Sequence, residues 1–417
     1  LHLQDALALA GISHPLLTAG RAELEQLEAS AARVHALDDI DIGARLAARL
    51  IEPSDAALDQ SSNDSRAELY ARKRLYDFGR SSALEAAAAT ELAGGRLRYS
   101  ADLTQYRIAI MRAFFDVLLA DLEYARDNES MAVAYVEADR LRYRNELGQV
   151  ADVELLKQED AYQVLRIQRL QSQSRQRSSR AKLAQLLNRP DDLPVNLAAP
   201  ALAGNDRPLP EYEQLVESAL AANPRVLSLR AELEAARQKI RAERAGGRPV
   251  LSGSVIGTSA EREVSSRNPL EAELRLDIPL FRGNRVNAEI AGAQAEMHRL
   301  AAAVQQLEYD LRQNLLEIWL DMQALQAQRE QVRVNAEFRS LDFDRAQALY
   351  ELEVTTDFGT ALVGQSQAAL LEARTEFALA LGWARLSALT GENYSPFLQM
   401  PVSSVQPGNL SDETIDR

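Results

Sequence analysis

Few residues in this chain have the types and spacing that chemistry requires. The four histidines, His2, His14, His35 and His298, fall at no metal-ligand spacing, and the 417 residues include no cysteine. Zinc sites draw on Cys and His at short fixed spacings or on an HExxH helix, and neither pattern is present. There is no thiol nucleophile or disulfide framework, and no glycine-rich phosphate loop. The five methionines are scattered, so no soft-metal relay forms. The sequence therefore reads as a non-enzyme that needs no cofactor. Its concentrated chemistry lies in two short acidic stretches. Glu146, Asp152 and Glu154 mark the first, just after Arg142 and Arg144; Glu351, Glu353 and Asp357 mark the second. Repeated around a symmetry axis, such carboxylates attract cations and repel anions. In a single chain, Asp152 and Asp357 read instead as helix caps and the glutamates as solvated.

The bulk composition narrows the partners. Asp and Glu total 61 against 47 Lys and Arg, a net charge of −14, which argues against nucleic acid. Aromatics are 6%, with 19 glycines and 14 prolines, in a chain rich in alanine, leucine, glutamine, glutamate and arginine. That balance suits long helices. No apolar run approaches the ~20 residues of a membrane-spanning helix. The chain starts at Leu1 without a basic and then apolar leader, so it is expected to be cytosolic or to begin after a removed signal peptide. The strands of a transmembrane β-barrel leave too weak a trace for hydropathy to find.

The chain repeats itself. SHPLLTAGRAELE at 13–25 returns as ANPRVLSLRAELE at 222–234, at a constant offset of 209 (14 to 223, 21 to 230). YDFGR at 76–80 lies opposite LFRGN at 280–284, and NELGQVADV at 145–153 opposite YELEVTTDF at 350–358. LAQLLNRP at 183–190 answers LSALTGE at 386–392. A tandem duplication with small loop changes accounts for this drift. The expected organisation is a first repeat at 1–190, a Pro-rich linker at 191–210, a second repeat at 211–400 and a polar tail at 401–417.

Each repeat presents the same parts. Helices are expected over 3–36 and 212–245. Period-two alternation follows at 39–50 and 270–280, with partner strands at 66–78 and 249–258. Proline-free helical stretches run over 81–147 and 286–350, each about 100 Å at about 1.5 Å per residue. Within them Leu103, Tyr106, Ile110, Ala113, Val117, Ala120 and Tyr124, and then Val304, Leu307, Leu311, Leu315, Ile318, Met322 and Leu325, step by threes and fours. That spacing marks a coiled-coil-like seam. Further helices are expected at 152–187 and 357–389, each closing an αα-hairpin.

Two strands per repeat make four, and four strands leave two edges to satisfy. The apolar row is Ile40, Ile42, Leu46, Leu50, Leu270, Leu274, Leu276 and Ile278; the charged row is Asp39, Asp41, Arg45, Arg49, Glu271, Glu273 and Arg275. A barrel with lipid outside and water inside satisfies both rows, and a usable lumen needs more than eight strands. Several chains must then pool theirs. Two soluble sheets with packed apolar faces are equally compatible with the periodicity, and the very long helices favour the barrel.

These residues together, in order and twice over, resemble the TolC family of outer-membrane efflux proteins. The carriers are the repeated openings, the YDFGR and LFRGN junctions, the tips ELGQVADVELL (146–156) and YELEVTTDF, and LSALTGE. The resemblance implies a mainly α, internally duplicated chain with a small β part. Three copies would form a homotrimer whose long helices build an α-barrel through the periplasm. Their strands would close a twelve-stranded transmembrane β-barrel in outer-membrane lipid. It further implies a passive efflux or type I secretion conduit with a periplasmic adaptor and an inner-membrane pump as partners. Adaptor docking would fall on the tips, at Leu147, Gly148, Gln149, Leu352, Glu353 and Val354. The acidic gate candidates are Glu351, Glu353, Asp357 and Asp152. Glu353 stands where the family often has glycine, so the family's own gate residues do not carry over. A soluble coiled-coil scaffold or adaptor is the other reading.

Three further expectations follow. The basic run RIQRLQSQSRQRSSR (166–180) reads as a solvated helix face or one paired to acidic neighbours. Phe115 and Trp319 read as packing residues. Tyr70, Tyr76, Phe78 and Phe281 could form an interfacial aromatic girdle.

Overall fold

The computed structural model describes residues 1–8, 14–261, 268–352, 357–392, 394, 395 and 397. Twelve main elements follow one order twice. The first pass is α1 (Leu3–Ala8), α2 (Pro15–His35), β1 (Asp41–Ala47), β2 (Arg66–Tyr76), α3 (Arg80–Glu146) and α4 (Asp152–Leu186). The second is α5 (Tyr212–Ala222), α6 (Pro224–Ala245), β3 (Val250–Ala260), β4 (Leu270–Asp277), α7 (Arg285–Glu351) and α8 (Phe358–Thr390). The long helices α3 and α7 are each 67 residues.

The duplication extends to backbone detail. Gly79 and Gly283, opposite each other in the repeat, both have positive φ, 94° and 62°. Asn188 and Gly391, at the ends of α4 and α8, do likewise at 55° and 71°. Each ends its helix in a left-handed residue, the conformation that closes many helix C-termini.

Two expected helices are broken. The one expected over 212–245 splits at Asn223, whose ψ of 120° is extended, and α6 restarts at Pro224. Proline lacks the N–H that would continue α5 and pushes the preceding residue out of the helical region. It is well tolerated as the first residue of a helix. The first repeat behaves alike: α2 starts at Pro15, and residues 9–13 lie outside the described set. β1 also ends at Ala47 rather than at 50, with Leu50 only bridged to Asn63. Pro53, which has no ladder donor, follows in that connection.

The chain divides into two compact units, and both repeats contribute to each. One comprises Leu1–Ala19, Ser100–Pro224 and Tyr309–Arg417; the other comprises Gly20–Tyr99 and Arg225–Glu308. In the first, Leu3, Leu7, Ile110, Phe114, Leu183 and Phe377 form a buried cluster. Phe115 stacks on Phe377 at 4.4 Å with rings 3° apart, so it is a packing residue as expected. Trp319 donates from its ring N–H to the Pro210 carbonyl at 3.0 Å. The second unit holds the sheet, antiparallel throughout, in the order β1-β2-β3-β4.

Candidate functional site: a two-faced sheet and two hairpin tips

The sheet's register sorts its side chains by chemistry. Paired residues on antiparallel strands share a face. Ile42 lies beside Ala71, Val255 and Ala272; Ala44 lies beside Leu69, Gly257 and Leu270. The result is one apolar face across all four strands. It is left open: Ile42 is 69%, Leu46 81% and Leu274 75% exposed. Leu270 and Leu276 share it and are exposed as well. Ile40, Leu50 and Ile278 fall just outside the strand limits and are also exposed.

The opposite face is charged. Asp41, Arg72, Ser254 and Glu273 make one row; Arg45, Glu68 and Thr258 make another. Arg45 pairs with Glu68 at 3.1 Å and Arg275 with Glu273 at 2.9 Å. Tyr70 belongs here rather than to an aromatic girdle. Its register is with Gly43 and Ile256, and the Arg72 guanidinium lies 4.5 Å from its ring centroid. Tyr76 and Phe78 do meet, ring to ring at 4.7 Å, at the strand end, and Phe281 is exposed.

At the β2–α3 junction, Asp77 is the residue whose role the sequence reading missed. One carboxylate oxygen accepts from the Ser81 N–H at 2.8 Å and from the Ser81 hydroxyl; the other accepts from the N–H groups of Gly79 and Arg80. It satisfies the orphan donors at the start of α3. Burial by itself would raise the Asp77 carboxyl, but the Ser81 hydrogen bonds, the Arg74 charge and the Gly79 N–H outweigh it and hold it below the usual range. The legible signal was an Asp four residues before a Ser at a helix start.

In the other unit, the first hairpin tip is a closed turn. Gln149 N–H donates to the Arg144 carbonyl at 2.9 Å and Gly148 N–H to that of Asn145 at 2.8 Å. This is a Schellman motif with Gly148 as its left-handed residue, at φ 70°. A Cβ there would touch nothing within 4 Å, so the backbone angle alone calls for glycine. The Asn145 side chain donates to the Val150 carbonyl at 2.9 Å and to Asp152 at 2.8 Å. Asp152 is therefore not the cap of α4: Ala151 holds that position without a side-chain bond. Asp152 sits one residue too late and is taken up by Asn145. Leu147 is exposed beside it.

The second tip differs. Asp357 caps α8, accepting from the Thr360 N–H at 3.1 Å. Glu351 accepts from Gln347 at 3.1 Å, and Leu352 is 72% exposed. Phe358 packs against Tyr350 and Phe343, ring centroids 5.5 and 5.4 Å apart. Glu353 and Val354 lie outside the described residues.

The two hairpins meet through α3 and α8. Arg126 donates to Gln367 at 2.8 Å, and Ser366 donates to Glu129. A Cβ on Gly359 would come within 2.8 Å of Val133, so glycine permits this approach. On the far side of α3, the basic run of α4 is paired: Arg175 with Glu123 at 3.1 Å, Arg180 with Asp121 at 2.7 Å. The side-by-side order is α4, α3, α8, α7. The outer two, α4 and α7, carry exposed apolar stripes at Val164, Ile167 and Leu170, and at Val334, Phe338 and Leu341. Among the described residues, no three His, Asp or Glu side chains converge to hold a metal ion.

Comparisons place this architecture. The model of the outer membrane efflux protein family matches residues 215–392. Protein CyaE of Bordetella pertussis is 26% identical over 262 residues, 62% of this chain and 55% of that protein. The chain thus matches about half the length of that curated relative. Among solved structures, a membrane protein from Pseudomonas aeruginosa aligns with a TM-score of 0.76 at 17% identity, covering 96% of this chain and 92% of that one. The Campylobacter jejuni CmeC outer membrane channel aligns at 0.74 and 13%, covering 93% and 85%. The open-state MtrE outer membrane channel of Neisseria gonorrhoeae aligns at 0.73 and 15%, covering 95% and 91%. At such identities the likeness is one of fold. The chain is thus similar to the outer membrane efflux protein family over residues 215–392, and it shares the fold of outer membrane channels along nearly its whole length.

Proposed function

We propose that the chain is a passive exit duct of the bacterial outer membrane, serving a tripartite efflux pump or a type I secretion system. Three copies close a twelve-stranded barrel in lipid, and their helices line a conduit across the periplasm. The observation that carries this reading is the sheet. Its apolar face spans all four strands and is exposed, with Lys73 the one charge on it; its other face is charged, and β1 and β4 are edges. A soluble scaffold would leave that face in water, a patch that soluble monomers avoid. Copies joined edge to edge remove the edges, put the apolar face to lipid and turn the charges to a wet lumen.

The tips are read as the periplasmic end of the duct. Leu147, Gly148 and Gln149, with Leu352, Glu353 and Val354, are the surface offered to a periplasmic adaptor, which couples the duct to an inner-membrane pump. Glu351, Glu353 and Asp357, with Asp152, recur around the axis as an acidic ring favouring cations. The apolar stripes on α4 and α7 suit contact between neighbouring copies. The reading is tested in planar bilayers with the purified chain. Discrete conductance steps from a detergent-extracted trimer are expected. A chain that is monomeric and soluble without detergent, and that never conducts, would overturn it.

A further inference from the structure

One charge interrupts the apolar face of the sheet. Lys73 lies on that face by register, beside Gly253 and, through it, Leu274. The preceding residues of β2 on the same face, Ala67, Leu69 and Ala71, are all apolar. Lys73 is exposed and makes no ion pair among the described residues. The register shifts between Arg74 and Tyr76, and this bulge lets Leu75 reach the same side. Its Cδ1 lies 3.3 Å from where a Cβ on Gly253 would stand. Because Gly253 has no side chain, a groove of about 500 Å³ opens over it, with Leu75, Leu274, Ile40, Val255 and Lys73 among its lining residues. Tyr76 and Phe78 stand at this same end of β2, the residue types that sit at a membrane boundary.

Each occupant other than lipid fails on chemistry. An apolar protein surface laid on this face would bury the ammonium without a partner, which is costly. On the outer-membrane reading, a second copy meets the chain through the edges β1 and β4, not through the face. An amphiphile with an anionic head fits both parts: an acyl chain fills the groove, the lysine stem lies along it, and the ammonium reaches out to the head.

The geometry points to an anionic phospholipid held at Lys73, its phosphate on the ammonium and one acyl chain over Gly253. This inference rests on the outer-membrane reading. The site fixes the depth at which the sheet sits, since the Lys73 ammonium must reach the phosphate level.

The test uses the full chain in phosphatidylcholine vesicles carrying a trace of spin-labelled phosphatidylglycerol or spin-labelled phosphatidylcholine. The fraction of immobilised label is read by electron paramagnetic resonance. The expected preference for phosphatidylglycerol is about fivefold, the effect of one cation beside an anionic headgroup. Lys73→Gln should abolish the preference and Lys73→Arg should keep it. Gly253→Val should fill the groove and reduce immobilisation of both labels. An unchanged preference in Lys73→Gln overturns the assignment. So does its loss on adding excess inorganic phosphate, which would make this a free-phosphate site. A chain that inserts and conducts but shows no preference sinks the lipid site alone. A chain that does not enter vesicles sinks the membrane reading and the lipid site with it.

Discussion

Asn145, in the last turn of α3, donates to the Asp152 carboxylate at 2.8 Å, so the two helices of the first hairpin are tied directly across their turn. The same nitrogen reaches the Val150 carbonyl at 2.9 Å. One side chain thus holds both the exit of one helix and the entry of the next, in a loop expected to face a partner.

Asn145→Ala should remove that tie. A charge-assisted bond and a neutral one are lost, together worth about 1–3 kcal/mol at most and less where solvent competes. Amide exchange at residues 147–152 should accelerate by about tenfold or more while exchange in the core of α3 stays unchanged. Equal protection in wild type and variant would show that the turn needs no side-chain support.

Gly148→Ala should loosen the same turn for a different reason. Its φ of 70° costs an L-residue about 1 kcal/mol, and nothing sterically opposes the methyl. Gly148→Asn should cost less, because Asn tolerates that conformation. The order Gly, Asn, Ala in protease resistance at the tip is the readout; an Ala variant as resistant as wild type would contradict the backbone argument.

Asp77 makes the β2–α3 junction sensitive to acid. Its carboxyl is held below the usual range, so its contribution to stability is full above the unfolded value near pH 4. It is lost as pH falls through the lowered folded value. The difference in melting midpoint between wild type and Asp77→Ala should be constant above about pH 5 and shrink below about pH 4. A difference that persists undiminished to pH 2 would remove the carboxylate from the account.

The absence of native cysteine makes engineered pairs unambiguous. Ile167→Cys with Phe338→Cys places one thiol on each exposed outer helix, α4 and α7. Under oxidation the double variant should run as a covalent trimer in denaturing gels, and each single variant as monomer. Crosslinking confined to one chain would exclude α4-to-α7 contact between copies.

The second-repeat members of the proposed acidic ring can be neutralised without unpicking the helix start. Glu351→Gln, Glu353→Gln and Asp357→Asn together remove the charge, and Asn caps a helix about as well as Asp. Cation preference, and block by multivalent cations, should fall in bilayer recordings. Unchanged selectivity would show that these carboxylates do not face the conduction path.

Much of the architecture is written locally. Pro15 and Pro224 each begin a helix because of what proline does to the residue before it. Ile42 and Leu46 announce a strand with one apolar face, because side chains alternate with period two. The repeat by itself places Gly79 opposite Gly283. What periodicity cannot name is the partner. That β2 of one repeat pairs with β3 of the other, so that Lys73 meets Gly253 on an otherwise apolar face, depends on register between distant segments. Likewise Asp152 looked like a helix cap; only the left-handed turn at Gly148 brings Asn145 close enough to claim it. Local patterns determine which elements form and which faces are apolar. Tertiary structure decides which residues meet, because that is set by chain closure and turn geometry over distances no local pattern spans.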